Sequence, residues 1–249
     1  MTATVSPVAY WLCVVIGLGG CAAACAAARR HAGRWAAVVA SSLGVVLLVD
    51  AGSYTAALVL DGSWSARTSL PLSLCDVAVL VGAAACLWLV PVLVELTYFW
   101  GLAGTLQGVL TPDLSVSFPH LVFWQYIVGH LGIVFAALFL VVGLRITPGR
   151  HAVARVFAVS LAYTALVGTA DGLTGANYMF LRRPPGEWTL LRLLGPWPWY
   201  VLSASVVALV LFTALDAPFW AGRRSAPATP TGRDESGAPA GRAPAPGRA

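Results

Sequence analysis

Seven stretches of this chain stay largely apolar for about twenty residues at a time, the length a helix needs to cross the hydrocarbon core of a bilayer. They run from Val8 to Ala28, Ala36 to Leu60, Leu70 to Val90, Val92 to Leu110, Leu121 to Leu144, Ala152 to Ala170 and Trp197 to Ala217. Thr68 and Ser69 followed by Pro71 read as the start of the third helix, and Pro91 separates the third from the fourth in a very tight turn. The pattern predicts an all-α, polytopic membrane helix bundle of about seven transmembrane helices.

Charge agrees with this. Charged residues make up 10% of the chain, against about 25% in a soluble domain, too few to keep a soluble surface wet. A soluble enzyme and a disordered protein are both excluded. The net charge of +5 would suit nucleic acid, but five of the fifteen arginines fall in residues 221–249, and the others are nearly balanced by acids. No nucleic-acid partner is expected.

Arginine placement sets an expected orientation. Eleven arginines, five of them in the C-terminal segment, fall on the side of the first and fifth loops, and four (Arg67, Arg182, Arg183, Arg192) on the other. The positive-inside rule then puts the N-terminus outside and the C-terminus in the cytoplasm. Arg29, Arg30 and Arg34 follow the first apolar run rather than precede it, so that run reads as a retained helix and not a cleaved signal. The chain divides into a transmembrane helical domain, 1–220, and a tail, 221–249, rich in Pro, Ala, Gly and Arg and expected to be disordered. The frequent alanine and absent lysine point to a GC-rich bacterial genome, hence a bacterial plasma membrane.

All five cysteines (13, 21, 25, 75 and 86) fall in predicted helices, which argues against a disulfide framework. There is no CxxC pair and the four histidines are scattered, so no metal is expected. The ionisable and amide groups inside spans are Asp50, Asp76, Glu95, Gln107, Gln125 and His130, the kind of groups that face a cavity or a partner. Counted from the helix ends, Cys75, His130, Asp50, Gln107 and Thr111 share the outer half of the membrane, and a polar outer cavity is expected there.

A cysteine and a histidine at similar depth suggest nucleophilic catalysis: the imidazole takes the thiol proton and the thiolate attacks an acyl carbonyl. Asp50, Asp76 or Asn177 could orient the imidazole, and the Asn177 amide could instead donate to an oxyanion. With the helix starting at Leu70, Cys75 is at or past the first turn and gains little from the helix dipole. The plainer alternatives stay open: a core cysteine, a histidine tying two helices, an asparagine capping a turn. Gly101, Gly104 and Gly108 form a stripe for close helix approach. The aromatic run Gly195–Tyr200 (GPWPWY) suits a membrane interface.

Several segments carry a resemblance. Leu70–Cys75 (LPLSLC), Glu95–Gly101 (ELTYFWG), Gln107–Asp113 (QGVLTPD), Phe118-Pro119-His120, His130, Asn177–Leu181 (NYMFL) and GPWPWY resemble, in order, the motifs of the YwaF-like bacterial integral membrane family, itself similar to the eukaryotic transmembrane protein 164 family. The likeness is dense from 70 to 200. It implies a lipid acyltransferase or transacylase working through a cysteine and a histidine, which by position would be Cys75 and His130. Where the family often has histidine between the proline and the cysteine, this chain has Ser73. The implied partners are membrane lipids, an acyl-chain donor and a lysolipid acceptor. Transfer between esters through a thioester needs no nucleotide, no phosphate-binding glycine loop is present, and no cofactor is expected. The competing expectation is a non-catalytic ligand-binding or transport protein with a polar outer cavity.

Overall fold

The computed structural model describes residues 7–31, 33–112, 114, 116–184 and 193–224. Helix α1 spans Pro7–Arg30, α2 Arg34–Leu60, α3 Leu74–Trp88, α4 Pro91–Trp100, α5 Leu106–Leu110, α6 Leu121–Leu138, α7 Ala152–Thr174 and α8 Trp199–Arg224. A π-helical turn, Gly101–Thr105, joins α4 to α5, so these two cross as one rod, and a second π-turn, Phe139–Gly143, extends α6. The seven expected crossings are present, five of them long and apolar enough to span a membrane by length and composition. Among the described residues there is no strand. The C-terminal segment is helical through Arg224; the rest of the expected tail lies outside the described residues, as does Arg192.

Apolar side chains face both ways, as the bilayer requires. The fully buried Leu47, Phe99, Phe123, Ile133 and Phe139 make the centre, while Val15, Val49, Trp88, Leu166 and Val210 point outward. Helix α3 is central and lined with small residues; Ala78, Gly82, Ala83 and Ala85 are buried and let α2, α4 and α6 close around it. Its turn into α4 is as tight as expected: Leu89 adopts a left-handed conformation (φ 52°), and Pro91 takes the first position of α4, where a missing N–H costs nothing. Helix α8 joins through Phe212 against Phe99, ring centroids 5.3 Å apart, and through the Tyr98 hydroxyl donating to the Leu215 carbonyl at 3.2 Å.

Each end of the bundle has its own fastening. At the α3–α4 turn end, buried Glu95 accepts from Arg155 Nε at 2.9 Å and from the Gly149 N–H at 3.0 Å, tying α4 to the loop before α7. At the other end, Tyr178 is the hub. Its hydroxyl accepts from the Leu70 N–H at 2.8 Å and donates to the Ala66 carbonyl at 3.1 Å, while its own N–H donates to Asp171 Oδ1 at 2.9 Å. Tyr200 in turn donates its hydroxyl to the Phe180 carbonyl, and Trp197 Nε1 to the Leu181 carbonyl. The sequence stretches around 70, 178 and 198 thus form one hydrogen-bonded cap.

This cap corrects one expectation. The third helix starts at Leu74, with Ser73 as its N-cap, not at Leu70. Backbone groups of 70–72 find partners elsewhere: the Leu70 N–H meets Tyr178, the Leu72 carbonyl accepts from the Tyr163 hydroxyl at 3.0 Å, and the Leu72 N–H turns back to the Leu70 carbonyl at 2.7 Å. With those groups satisfied the segment has no need of a helical ladder. Likewise α7 runs through Asp171 to Thr174 before its Gly175 cap (φ 74°), so the loop after it begins later than the apolar pattern suggests.

Candidate functional site

Moving the helix start by four residues changes the surroundings of Cys75. It is the second residue of α3 rather than the sixth of a longer helix. The N–H groups of a helix's first turn have no intrahelical acceptor and carry the positive end of its dipole. The expectation that Cys75 lies at or past the first turn is therefore corrected: it sits within that turn, beside those N–H groups. Asp76, next along, folds back toward the Ser73 N–H and hydroxyl, the carboxylate half of a capping box. Its charge opposes a thiolate at Cys75, so the dipole and Asp76 act in opposite directions.

His130 is held by its own helix. Its Nδ1 lies 3.0 Å from the Tyr126 carbonyl, and its ring stacks on the Tyr126 ring with centroids 4.0 Å apart. A carbonyl only accepts, so Nδ1 carries the hydrogen and Nε2 is left with its lone pair. The acceptor that orients the imidazole is thus a backbone carbonyl one turn earlier, not Asp50, Asp76 or Asn177.

The rod of α4, the π-turn and α5 brings the two residues into one neighbourhood. Gly101 packs against Ile133 and Ala137 of α6, Gly104 against Leu74, and Gly108 against His130. The fully buried Thr105 hydroxyl faces the Cys75 sulfur without a hydrogen bond of ordinary geometry. Thr105 and Gly108 are three residues apart, roughly 5–6 Å on a helix surface. Cys75 and His130 therefore pack against positions one turn apart on the same rod. A side chain at Gly108 would lie 2.6 Å from His130 Cδ2, so only glycine lets the imidazole approach this close.

The other expected site residues are placed differently. Gln107 and Thr111 are exposed, the Thr111 hydroxyl donating to the Gln107 carbonyl at 2.9 Å; equal depth does not put them on the same face as Cys75. Asp50 Oδ2 lies 3.1 Å from where a Cβ on Gly129 would stand, beside the residue preceding His130. Near it, Gln125 Nε2 donates to Ser53 Oγ, which donates to the Asp50 carbonyl, both at 2.9 Å. Asn177 is spent on its loop: Oδ1 accepts from the N–H groups of Arg182 and Arg183, and Nδ2 donates to the Arg183 carbonyl. It is a turn cap, and the contact with the segment before α3 is made by its neighbour Tyr178. The sequence alone does not single out Thr105, Tyr126, Tyr163 or Tyr178 as site residues; Tyr178 lies within NYMFL and Thr105 follows Gly104, and only the contacts show which neighbour does the work.

Among the described residues, an apolar groove and a more polar one along α2 (Arg34, Ser41, Ser42) lie on the flanks of the bundle. The apolar one, of about 380 Å³, is lined by Cys13, Gly17, Leu43, Trp124, Leu131 and Phe135 of α1, α2 and α6; neither groove includes Cys75 or His130. Among the described residues no cluster of His, Cys, Asp or Glu could hold a metal ion.

Architecture and site together define a multi-pass helical membrane protein in which a cysteine at a helix N-terminus and a histidine of α6 pack against the same α4–α5 rod. Comparison with known sequences gives the family. The chain belongs to the TMEM164 family, whose sequence profile matches residues 2–216. It is similar to an uncharacterized protein of Treponema pallidum (strain Nichols), 28% identical over 178 residues, covering 70% of this chain and 71% of the relative. No solved structure matches.

Proposed function

We propose that this protein is a lipid acyltransferase or transacylase of the bacterial plasma membrane, with Cys75 as nucleophile and His130 as general base. The observation that carries the reading is the packing of both residues one turn apart on the α4–α5 rod, with His130 Nε2 left unprotonated by the Nδ1 contact to Tyr126. In the reaction, His130 Nε2 takes the Cys75 proton and the sulfur attacks the ester carbonyl of a donor lipid. First-turn N–H groups of α3 are available to the developing oxyanion. The ester C–O bond breaks, the departing lysolipid oxygen takes the proton from Nε2, and the acyl group remains on sulfur. A second lysolipid hydroxyl then attacks the thioester by the same route reversed.

The test is covalent. Protein incubated with phospholipid vesicles should accumulate a hydroxylamine-labile acyl adduct on Cys75, seen by mass spectrometry. Cys75→Ala should abolish it and His130→Ala should slow it by about 10²-fold or more, the scale of a lost general base. Alanine at Cys13, Cys21, Cys25 and Cys86 should spare it. If wild-type protein never carries an acyl group, the protein binds lipid without covalent chemistry and the acyltransferase reading falls.

A further inference from the structure

A threonine inside a membrane helix has a ready acceptor in the carbonyl four residues back. Thr97, Thr164, Thr169 and Thr213 all use it, at 2.8 to 2.9 Å, and Thr55 does at 3.1 Å. Thr105 does not. It is 0% exposed and its Oγ1 has no hydrogen-bond partner. Thr105 closes the π-turn, where the Gly101 carbonyl, four residues back, already accepts from the Leu106 N–H. The Thr105 hydroxyl faces the Cys75 sulfur instead. Single π-turns within helices are frequent at functional sites.

We propose that Thr105 is a further catalytic residue, its hydroxyl donating a hydrogen bond to the Cys75 sulfur once that sulfur is a thiolate. This rests on Cys75 acting as the nucleophile. A neutral thiol is a weak acceptor and a thiolate a strong one, so the bond forms as charge develops and is given up when the acyl carbon bonds to sulfur. The Thr105 O–H bond never breaks; the thiol proton passes to His130 Nε2 and from there to the departing lysolipid oxygen. A hydroxyl satisfied in the resting protein would have to abandon a partner first. The charged or titratable groups around the sulfur are Asp76 from α3 itself, Tyr163 of α7 beside Asp76 and, one turn along the rod, His130 from α6.

The experiment follows iodoacetamide alkylation of the Cys75 peptide by mass spectrometry, using full-length protein in nanodiscs, from about pH 6 to 10, the range around a thiol's ordinary titration. Thr105→Val removes the hydroxyl at nearly constant volume and Thr105→Ser retains it. Thr105→Val should slow alkylation about tenfold at pH 7 and by a similar factor wherever the thiol is mostly protonated, so that its profile lies about one pH unit above that of wild type. Thr105→Ser should stay within about twofold of wild type. If Thr105→Val fails to fold, Thr105→Ala is read against Thr105→Ser in the same way. A Thr105→Val profile superimposable on wild type overturns the proposal. So does an equal slowing by valine and serine at every pH, which marks a packing effect on access. The acyl adduct separates the two ideas: wild-type acylation with an unshifted Thr105→Val profile sinks only the role of Thr105, whereas a shifted profile without any wild-type acylation sinks the transferase reading and leaves the thiolate contact standing.

Discussion

Replacing Gly108 by alanine tests the site through one methyl group. The added carbon would stand 2.6 Å from His130 Cδ2, 3.0 Å from Nε2 and 3.3 Å from the Tyr126 hydroxyl. Ordinary contact begins near 3.4 Å, so the imidazole must retreat by about 0.8 Å. It has little room to do so, being held by the Tyr126 carbonyl on one edge and the Tyr126 ring on one face. The Tyr126 ring is itself fixed by its hydroxyl donating to the Gly108 carbonyl at 2.7 Å. Overpacking of this kind costs about 1–3 kcal/mol. At about 2–4 °C per kcal/mol for a chain of this size, the unfolding midpoint in detergent should fall by roughly 5 °C. Gly52→Ala is the control: it lies in α2 with no atom within 4 Å of an added Cβ, and should gain about 0.5–1 kcal/mol from helix propensity. The assay is thermal unfolding followed by tryptophan fluorescence, with acyl-adduct formation measured on the same samples. Gly108→Ala should lose stability and acylation together, and Gly52→Ala neither. If both variants behave as Gly52→Ala is expected to, the close approach of His130 to α5 is not a feature of the folded protein.

Three further outcomes are expected. Tyr178→Phe leaves the Leu70 N–H and the Ala66 carbonyl without their partner; it should cost about 1–3 kcal/mol and raise the proteolysis rate of the segment before α3, measured by limited digestion. Glu95→Gln gives up the charge-assisted bonds to Arg155 and the Gly149 N–H, and should destabilise by about 1–3 kcal/mol while leaving Cys75 alkylation unchanged, since it acts at the opposite end of α4. Reporter fusions after Arg34 and Arg150 should read cytoplasmic and a fusion after Thr111 external; the reverse pattern would overturn the orientation drawn from arginine counts.

The crossings were legible because apolar length is a strong signal, and the α3–α4 turn because Pro91 allows little else. The glycine stripe was legible as a packing face, although its three partners, Ile133, Leu74 and His130, were not. The start of α3 is not legible because the segment 70–73 is satisfied by Tyr163 and Tyr178, 91 and 108 residues further along the chain and invisible to local pattern. Depth along a helix put Gln107 and Thr111 beside Cys75; rotation about the helix, altered by the π-turn, put Thr105 there instead. Asn177 drew attention as a lone asparagine in a motif, yet its amide closes its own turn and the adjacent tyrosine makes the long-range contacts.

The shortness of α3 has a consequence for how a lipid would be engaged. Its 15 residues rise about 22 Å, against about 30 Å of hydrocarbon in a typical bilayer. A central helix of that length falls about 8 Å short of the span, beside α2 with its 27 residues, and the turn at 70–73, held by Tyr163 and Tyr178, occupies the depth next to Cys75. Non-helical backbone is tolerated at that depth because protein encloses it. The glycerol ester of a phospholipid lies just beneath its headgroup, at the upper edge of the hydrocarbon layer. On the proposed transferase reading, a lipid ester at that edge need descend only past this turn to meet the sulfur, with both acyl tails still in the leaflet.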